Sequence, residues 1–301
     1  MFVKAARSPA HRADLIREAS VYGLVRERCP ATLTRLPKGA RWDPDADELQ
    51  MEDVAAGDLA DLVTASGSLD PTVAAEVGRA VGVLHAEAGP PGDDAPRSPW
   101  LRGGIGVHRP GPDHLRAFSA GGLKLLEALQ RSDALRSRLA DLAEPSGDEF
   151  VHGDLRWENI LVADSAAPRV WLVDWEMGGA GEHAWDVGCV LAAGVSAWLS
   201  SIPVAPGVPP DRLASEAAVP IESLEAGVTA VWSAYRETSP PRADGWAERC
   251  VQLAAVRLVH LGFESTELDV GLRPSAVAHL QVASNILRDP SRAGRDLRGL
   301  P

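Results

Sequence analysis

Residues 151–162 read VHGDLRWENILV, residues 170–176 read VWLVDWE, and Asp186 follows in AWDVG. Apolar Phe150 and Val151 lead into His152-Gly153-Asp154, and Asn159 stands five residues after Asp154. Ile160 to Val162 then reads as a short strand, and a second apolar run, Val170 to Val173, delivers Asp174. The residue types suit phosphoryl transfer, where positioning and charge neutralisation do most of the catalysis. One carboxylate orients an acceptor hydroxyl and takes its proton. An amide oxygen and a charged oxygen offer a divalent cation hard ligands. On this reading Asp154 is the catalytic carboxylate, and Asn159 and Asp174 are metal ligands. His152 belongs to the catalytic loop, and with Asp186 it is expected to hold that loop's backbone rather than touch substrate. A chance HGD in a turn, or an Asp174 that caps a helix, would be ordinary alone. It is the full set with its flanking strands that points to chemistry.

The rest of the chain sets bounds. Its 301 residues are enough for two lobes, and 45% hydrophobic residues support a full core. A net charge of −12 argues against binding nucleic acid by phosphate neutralisation. Cys29, Cys189 and Cys250 lie far apart, with no metal or redox spacing, which fits a reducing compartment. The longest apolar run, 187–199, is shorter than the roughly 20 residues a membrane span needs. The N-terminus lacks the apolar core of a signal peptide. These features predict a soluble cytoplasmic protein that uses neither membrane nor nucleic acid.

Apolar residues at 15, 16, 19, 21, 22, 24 and 25 predict a helix over 11–25, and Glu18 lies inside it. Residues 31–37 and 47–54 are expected to continue a small N-terminal lobe, and DELQMEDV reads as a strand running into a linker. Residues 72–87 form an amphipathic helical pattern, on which His85 is expected to be a packed histidine rather than a ligand. The proline- and glycine-rich stretch 89–113 reads as an irregular connection, and 113–143 as helical. Helical patterns recur at 185–199, 221–237, 245–264 and 273–287, and the polar tail 291–301 is expected to be flexible.

HGDxxxxN followed by a strand-borne Asp resembles the catalytic loop and metal segment of the aminoglycoside phosphotransferase family, relatives of the protein kinases. The resemblance implies an α+β, bilobal, protein-kinase-like fold that uses ATP and Mg²⁺. It divides the chain into a reduced N-lobe, 1–54, and a mainly helical C-lobe, 55–290. The C-lobe carries the catalytic loop 151–162 and the metal segment 170–188. In such folds a strand lysine grips the ATP phosphates and pairs with a glutamate on the next helix. Lys4 and Glu18 match those roles, and Lys4 is one of only three lysines, with Lys38 and Lys124, among 30 basic residues. The resemblance also puts Met51 at the adenine pocket and the backbone of Glu52 to Val54 on the adenine edge. Met1 stands three residues before Lys4. The two strands and phosphate-covering loop that open the family's fold are therefore expected to be missing, which implies a truncated β lobe and weak ATP binding. Gly103 to Gly106 and Gly178 to Gly181 are candidate substitute anion turns.

HGDLRWEN, LVDWEMGGAGEHAWDVG, WLSSIP and LQVASNILRDP further resemble phosphotransferases found with ribosomally made peptide natural products. That resemblance implies Ser/Thr phosphorylation of a precursor peptide, with a lyase or cyclase partner eliminating the phosphate to leave a dehydroamino acid. The surface of the helices after 200, mixing Arg236, Arg242, Arg249 and Arg257 with carboxylates, is expected to suit a peptide better than a polycationic sugar. A small-molecule kinase of aminoglycoside, choline or homoserine type is the alternative. A peptide-binding scaffold without catalysis is the reading from another class.

Overall fold

The computed structural model describes residues 1–92, 95, 96, 98, 106–142, 147–163, 167–203, 212, 214–267 and 271–296. Strands β1 (Phe2–Ala5), β2 (Arg41–Asp43) and β3 (Glu48–Met51) form an antiparallel sheet in the order β1-β3-β2, with Lys4 opposite Leu49. Helix α1 (Pro9–Arg28) follows β1. The Ser8 side chain accepts from the His11 N–H and Pro9 fills the first turn, so the helix starts ahead of its apolar pattern. Leu15, Glu18, Val21, Tyr22 and Val25 form its buried stripe, at helical spacing. Residues 31–37 do not extend the sheet. Pro30–Arg35 is a 3-10 turn, held by Glu87, whose carboxylate accepts from the Ala31 and Thr32 N–H groups.

The larger region is mainly helical. It comprises α2 (Leu59–Ser66), α3 (Pro71–Glu87), α4 (Pro112–Ala117), α5 (Ala120–Gln130), α6 (Asp133–Leu142), α7 (His183–Ser201), α8 (Ile221–Thr238), α9 (Trp246–Glu264), α10 (Pro274–Arg288) and α11 (Pro290–Asp296). The helical patterns at 221–237, 245–264 and 273–287 correspond to α8, α9 and α10. Helices α3 and α8 approach closely because α3 carries Gly78 there: a Cβ on Gly78 would lie 2.2 Å from the Val231 carbonyl oxygen. Within the tail expected to be flexible, residues 291–296 lie in α11, with Pro290 opening it and Asp289 accepting from the Arg292 N–H, and residues 297–301 lie outside the described residues. Among the described residues no helix is long and apolar enough to cross a membrane.

Two small sheets lie within this region and aim the central loop. Strands β4 (Gly57–Asp58), β6 (Ile160–Ala163) and β7 (Arg169–Leu172) pair in the order β4-β6-β7, and β5 (Glu149–Val151) pairs with β8 (Gly179–Gly181). Strand β5 leads into His152-Gly153-Asp154. The β6–β7 pair sets Asn159 beside the segment that carries Asp174, where the Val173 N–H donates to the Asn159 carbonyl at 3.0 Å.

Candidate active site

Asp186 lies fully buried at the start of α7 and organises the HGD turn. Its Oδ2 accepts from the His152 N–H at 2.8 Å and its Oδ1 from the Gly153 N–H at 2.9 Å. Gly153 has φ 85°, and a Cβ there would lie 2.2 Å from the Met177 carbonyl oxygen, so the turn requires glycine. The His152 ring is buried. Its Nε2 faces the Val173 carbonyl at 2.9 Å and so carries the proton, leaving Nδ1 to accept from the Asp154 N–H at 3.4 Å. Burial holds this imidazole below its ordinary pKa, which keeps it neutral.

Asp154 projects from the far side of the turn. Arg257 of α9 donates from Nη2 to its Oδ1 at 3.0 Å, and the Asn159 amide donates to its Oδ2 at 3.2 Å. Burial pushes the Asp154 carboxyl up to about 6, against the opposing pull of Arg257 and Arg156. With the amide nitrogen spent on Asp154, Asn159 offers its oxygen.

Asp174 follows β7 in the left-handed region, at φ 66° and ψ 61°, an unusual conformation for a non-glycine residue. Its neighbour Trp175 is buried and donates from Nε1 to the Leu172 carbonyl at 3.0 Å, which pins the backbone that holds Asp174 out. Lys4 bridges two carboxylates, with Nζ 2.9 Å from Glu18 Oε2 and 2.6 Å from Asp174 Oδ1. Burial works against its charge, but Glu18 and Asp174 outweigh burial and raise the ammonium's pKa. Burial pushes Glu18 up to about 7, despite Lys4 beside it.

Lys4, Glu18, Asn159 and Asp174 line one cavity of about 330 Å³ together with Phe2, Met51, Glu52 and Val54. The Glu52 N–H donates to the Lys38 carbonyl, so of its backbone groups the carbonyl is the one left to meet a ligand's edge. Among the described residues the Val54 N–H has no partner. The donor set suits a magnesium–nucleotide complex: a charged oxygen and an amide oxygen beside a lysine, at one end of a partly apolar cavity. The turn 178–181 does not suit a phosphate cradle, because the Gly178 N–H bonds the Trp175 carbonyl, the Ala180 N–H bonds the Pro96 carbonyl, and β8 is buried. Residues 103–105 of the other candidate turn lie outside the described residues.

Behind the loop runs a buried chain of hydrogen bonds. Arg242 donates to the Tyr235 hydroxyl at 3.0 Å, this hydroxyl lies 2.9 Å from His85 Nδ1, and His85 Nε2 lies 3.1 Å from Asp186 Oδ2. His85 stacks on His183 at 3.8 Å between centroids. Arg242 also bonds Glu149 at 2.8 Å, and Arg249 pairs with Glu182. Arg257 is 1% exposed and holds both Asp154 and Glu264. Three of the four arginines expected on the surface thus belong to internal ion pairs, which removes the electrostatic argument for a peptide along that surface. The signal that finds Arg257 is its place within the apolar stripe of its helix, between Leu253 and Leu258.

The model of the phosphotransferase enzyme family (APH) matches residues 1–214. Among solved structures, the chain is similar to a choline/ethanolamine kinase family protein from Mesorhizobium loti, at 17% identity and a TM-score of 0.53 over 99% of this chain and 85% of that one. It is also similar to a glucosamine kinase in complex with glucosamine, ADP and inorganic phosphate, at 17% identity and a TM-score of 0.53 over 93% of this chain and 74% of that one. At such identities the likeness is one of fold. No curated protein matches the chain.

Proposed function

We propose a mechanism from the premise that the chain belongs to the phosphotransferase enzyme family: it transfers the γ-phosphoryl group of ATP to an alcohol, with Asp154 as base. The observation that carries this reading is the convergence of Lys4, Glu18, Asn159 and Asp174 on one cavity, with Asp154 bonded to Asn159. Lys4, held by Glu18, would grip the phosphates, and the Glu52 carbonyl and Val54 N–H would meet the adenine edge. Asn159 and Asp174 would hold Mg²⁺, which when bound supplies positive charge to the transferring phosphate. Asp154 would orient the acceptor hydroxyl on the oxygen not taken by Arg257 and receive its proton. The new P–O bond forms as the β–γ bridge breaks, and ADP leaves. His152 and Asp186 keep the loop in the shape that presents Asp154.

For the acceptor we favour a Ser or Thr hydroxyl of a precursor peptide. The support is the resemblance in 152–159, 172–188 and 281–290 to enzymes of peptide natural products. A partner lyase would then remove the α-proton and expel phosphate, leaving a dehydroamino acid. A small-molecule alcohol is the second reading, supported by the fold neighbours named as choline/ethanolamine and glucosamine kinases. The test incubates the protein and Asp154→Asn with MgATP and each acceptor class and follows ADP release and phosphate gain by mass spectrometry. Transfer by the wild type and its loss in the variant support the mechanism. Turnover by Asp154→Asn close to wild type removes Asp154 from it. MgATP that gives no thermal stabilisation would remove the nucleotide assignment, since a ligand at 100 times its Kd stabilises by about 2.7 kcal/mol.

A further inference from the structure

Two donors from different elements fix the Asp154 carboxylate. The Asn159 amide donates to Oδ2 at 3.2 Å and to the Asp154 carbonyl at 2.9 Å, which ties the side chain to its own loop. Arg257 reaches across from the middle of α9 and donates from Nη2 to Oδ1 at 3.0 Å. Its guanidinium is held in turn by Glu264, two turns further along α9, which accepts from Nη1. Glu264 also stands 3.6 Å from Arg156, and Arg156 grips Glu158 through bonds of 3.0 and 2.7 Å. Charge alternates along Asp154, Arg257, Glu264, Arg156 and Glu158, and the series begins and ends in the catalytic loop.

Burying this arginine is costly. It lies in the apolar stripe of α9, between Leu253 and Leu258, and lines no part of the nucleotide cavity. Taking a guanidinium out of water carries a desolvation penalty that a buried pair recovers only with good geometry, and an apolar side chain of similar volume often serves stability as well. The pair is better explained by what it does to Asp154. A carboxylate turns about its last torsion in a broad, two-fold well. With Oδ1 tied to α9 and one lone pair of Oδ2 tied to Asn159, the other lone pair of Oδ2 keeps a single direction. Asn159 is also a ligand in the proposed cation site, so that direction is set relative to the cation as well.

Resting on the kinase reading above, we propose that Arg257 is a positioning residue, whose guanidinium clamps Asp154 Oδ1 so that Oδ2 faces the acceptor hydroxyl. It acts through Asp154, so its loss lowers kcat and spares ATP binding. Without the clamp the carboxylate swings, and the hydroxyl is held in line for less of the time.

The experiment compares Arg257→Ala with the wild-type chain, following ADP release from MgATP on the fastest acceptor of the classes above or, where none is taken, on water. Arg257→Ala should lose about 10²-fold in kcat and keep the wild-type KM for ATP. Arg257 also lines a cavity of about 360 Å³, bounded by the turn 157–159, α2, α7 and α9, which gives a guanidinium ion a way to the vacated place. Guanidinium chloride, well below denaturing concentration, should then restore kcat about tenfold in Arg257→Ala. It should do so neither in the wild type nor in Asp154→Asn, and sodium chloride at equal ionic strength should restore nothing. An arginine that only supports the fold gives no such rescue. A folded Arg257→Ala with wild-type kcat, or with a loss that guanidinium leaves in place, overturns the proposal. If Arg257→Ala does not fold, Glu264→Gln decides: it keeps the clamp but loosens its hold, and should lower kcat about threefold or more with the KM for ATP unmoved. Wild-type kcat in that variant overturns the proposal. Asp154→Asn separates the two levels of inference. If it leaves turnover intact, or the wild type turns over neither an alcohol nor water, the kinase reading falls and Arg257 with it. If Asp154→Asn is silent and Arg257→Ala is not impaired, Arg257 alone falls.

Discussion

On the front of the HGD loop, Lys4, Asn159 and Asp174 line one cavity, and Asp154 stands beside it bonded to Asn159. On its back, Asp186, His85, His183 and Tyr235 are buried and bonded to one another or to their neighbours. The front keeps charge where burial opposes it. The Asp154 carboxyl is raised to about 6, that of Glu18 to about 7, and Asp174 sits in the left-handed region. On the back the carboxylates differ from one another: burial raises the Asp186 carboxyl too, whereas Glu149 at its edge is lowered. Burial opposes ionisation of Glu149 as well, but bonds from His183 and Arg242 outweigh it and hold this carboxyl at about 2. The front is shaped for chemistry and costs stability, while the back offsets that cost by fixing the loop's backbone.

The sharpest way to break the comparison is to change one side and watch for the other's phenotype. Asp154→Asn is expected to lower kcat by about 10²–10⁴-fold while leaving the fold and MgATP affinity nearly unchanged. Steady-state kinetics and a nucleotide titration check it. Substantial residual kcat would mean the front is not where the chemistry lies. Asp186→Ala acts on the back and should lower stability by about 3 kcal/mol, because two buried N–H groups and His85 lose their acceptor. Urea unfolding measures this. A variant as stable as the wild type, with activity gone, would move Asp186 to the front.

The two faces also differed in how far the sequence disclosed them. The front is local: Asp154, Asn159 and Asp174 fall within 21 residues, so spacing alone marks them. Lys4 and Glu18 needed the family resemblance, because no spacing rule links either to residue 174. The back is assembled from afar. His85 is 101 residues from Asp186, and Arg242 is 93 from Glu149. No helical or strand periodicity announces such partners, and His85 reads as one more packed histidine. Arg257, 103 residues from Asp154, reads as a surface charge until its neighbours in the apolar stripe are counted. Helix periodicity located α8, α9 and α10, because an apolar face recurs with every turn. The turn at 30–35 and helix α11 depend on single capping carboxylates, Glu87 and Asp289, which a pattern search passes over.

Tyr235→Phe probes the middle of the back chain more gently. It removes the hydroxyl between Arg242 and His85 and keeps the ring stacked near Trp246. A loss of about 1–2 kcal/mol in stability is expected, with kcat near wild type below the unfolding transition. If kcat falls while stability holds, the chain carries function to the front as well as support.

The smallest expected effect is a pair of opposite slopes with pH. Asp154 binds its proton more tightly folded than unfolded, since its folded value of about 6 lies above the ordinary value of 3.8. Folded protein therefore holds more protons between those values, and stability falls as pH rises through that window. Glu149 is the mirror case, with a folded value of about 2 below its ordinary value of 4.5. Its stabilisation is present above 4.5 and is lost as pH falls toward 2. Replacing each carboxylate by its amide removes one slope at a time. Relative to wild type, Asp154→Asn should gain stability as pH rises through the first window. Glu149→Gln should be less stable than wild type at neutral pH, by a margin that closes on acidification. Urea midpoints for the three proteins across the acidic range measure both slopes. Parallel curves for the two variants would mean that front and back carry charge by the same rule, and the distinction between the faces would then rest on geometry alone.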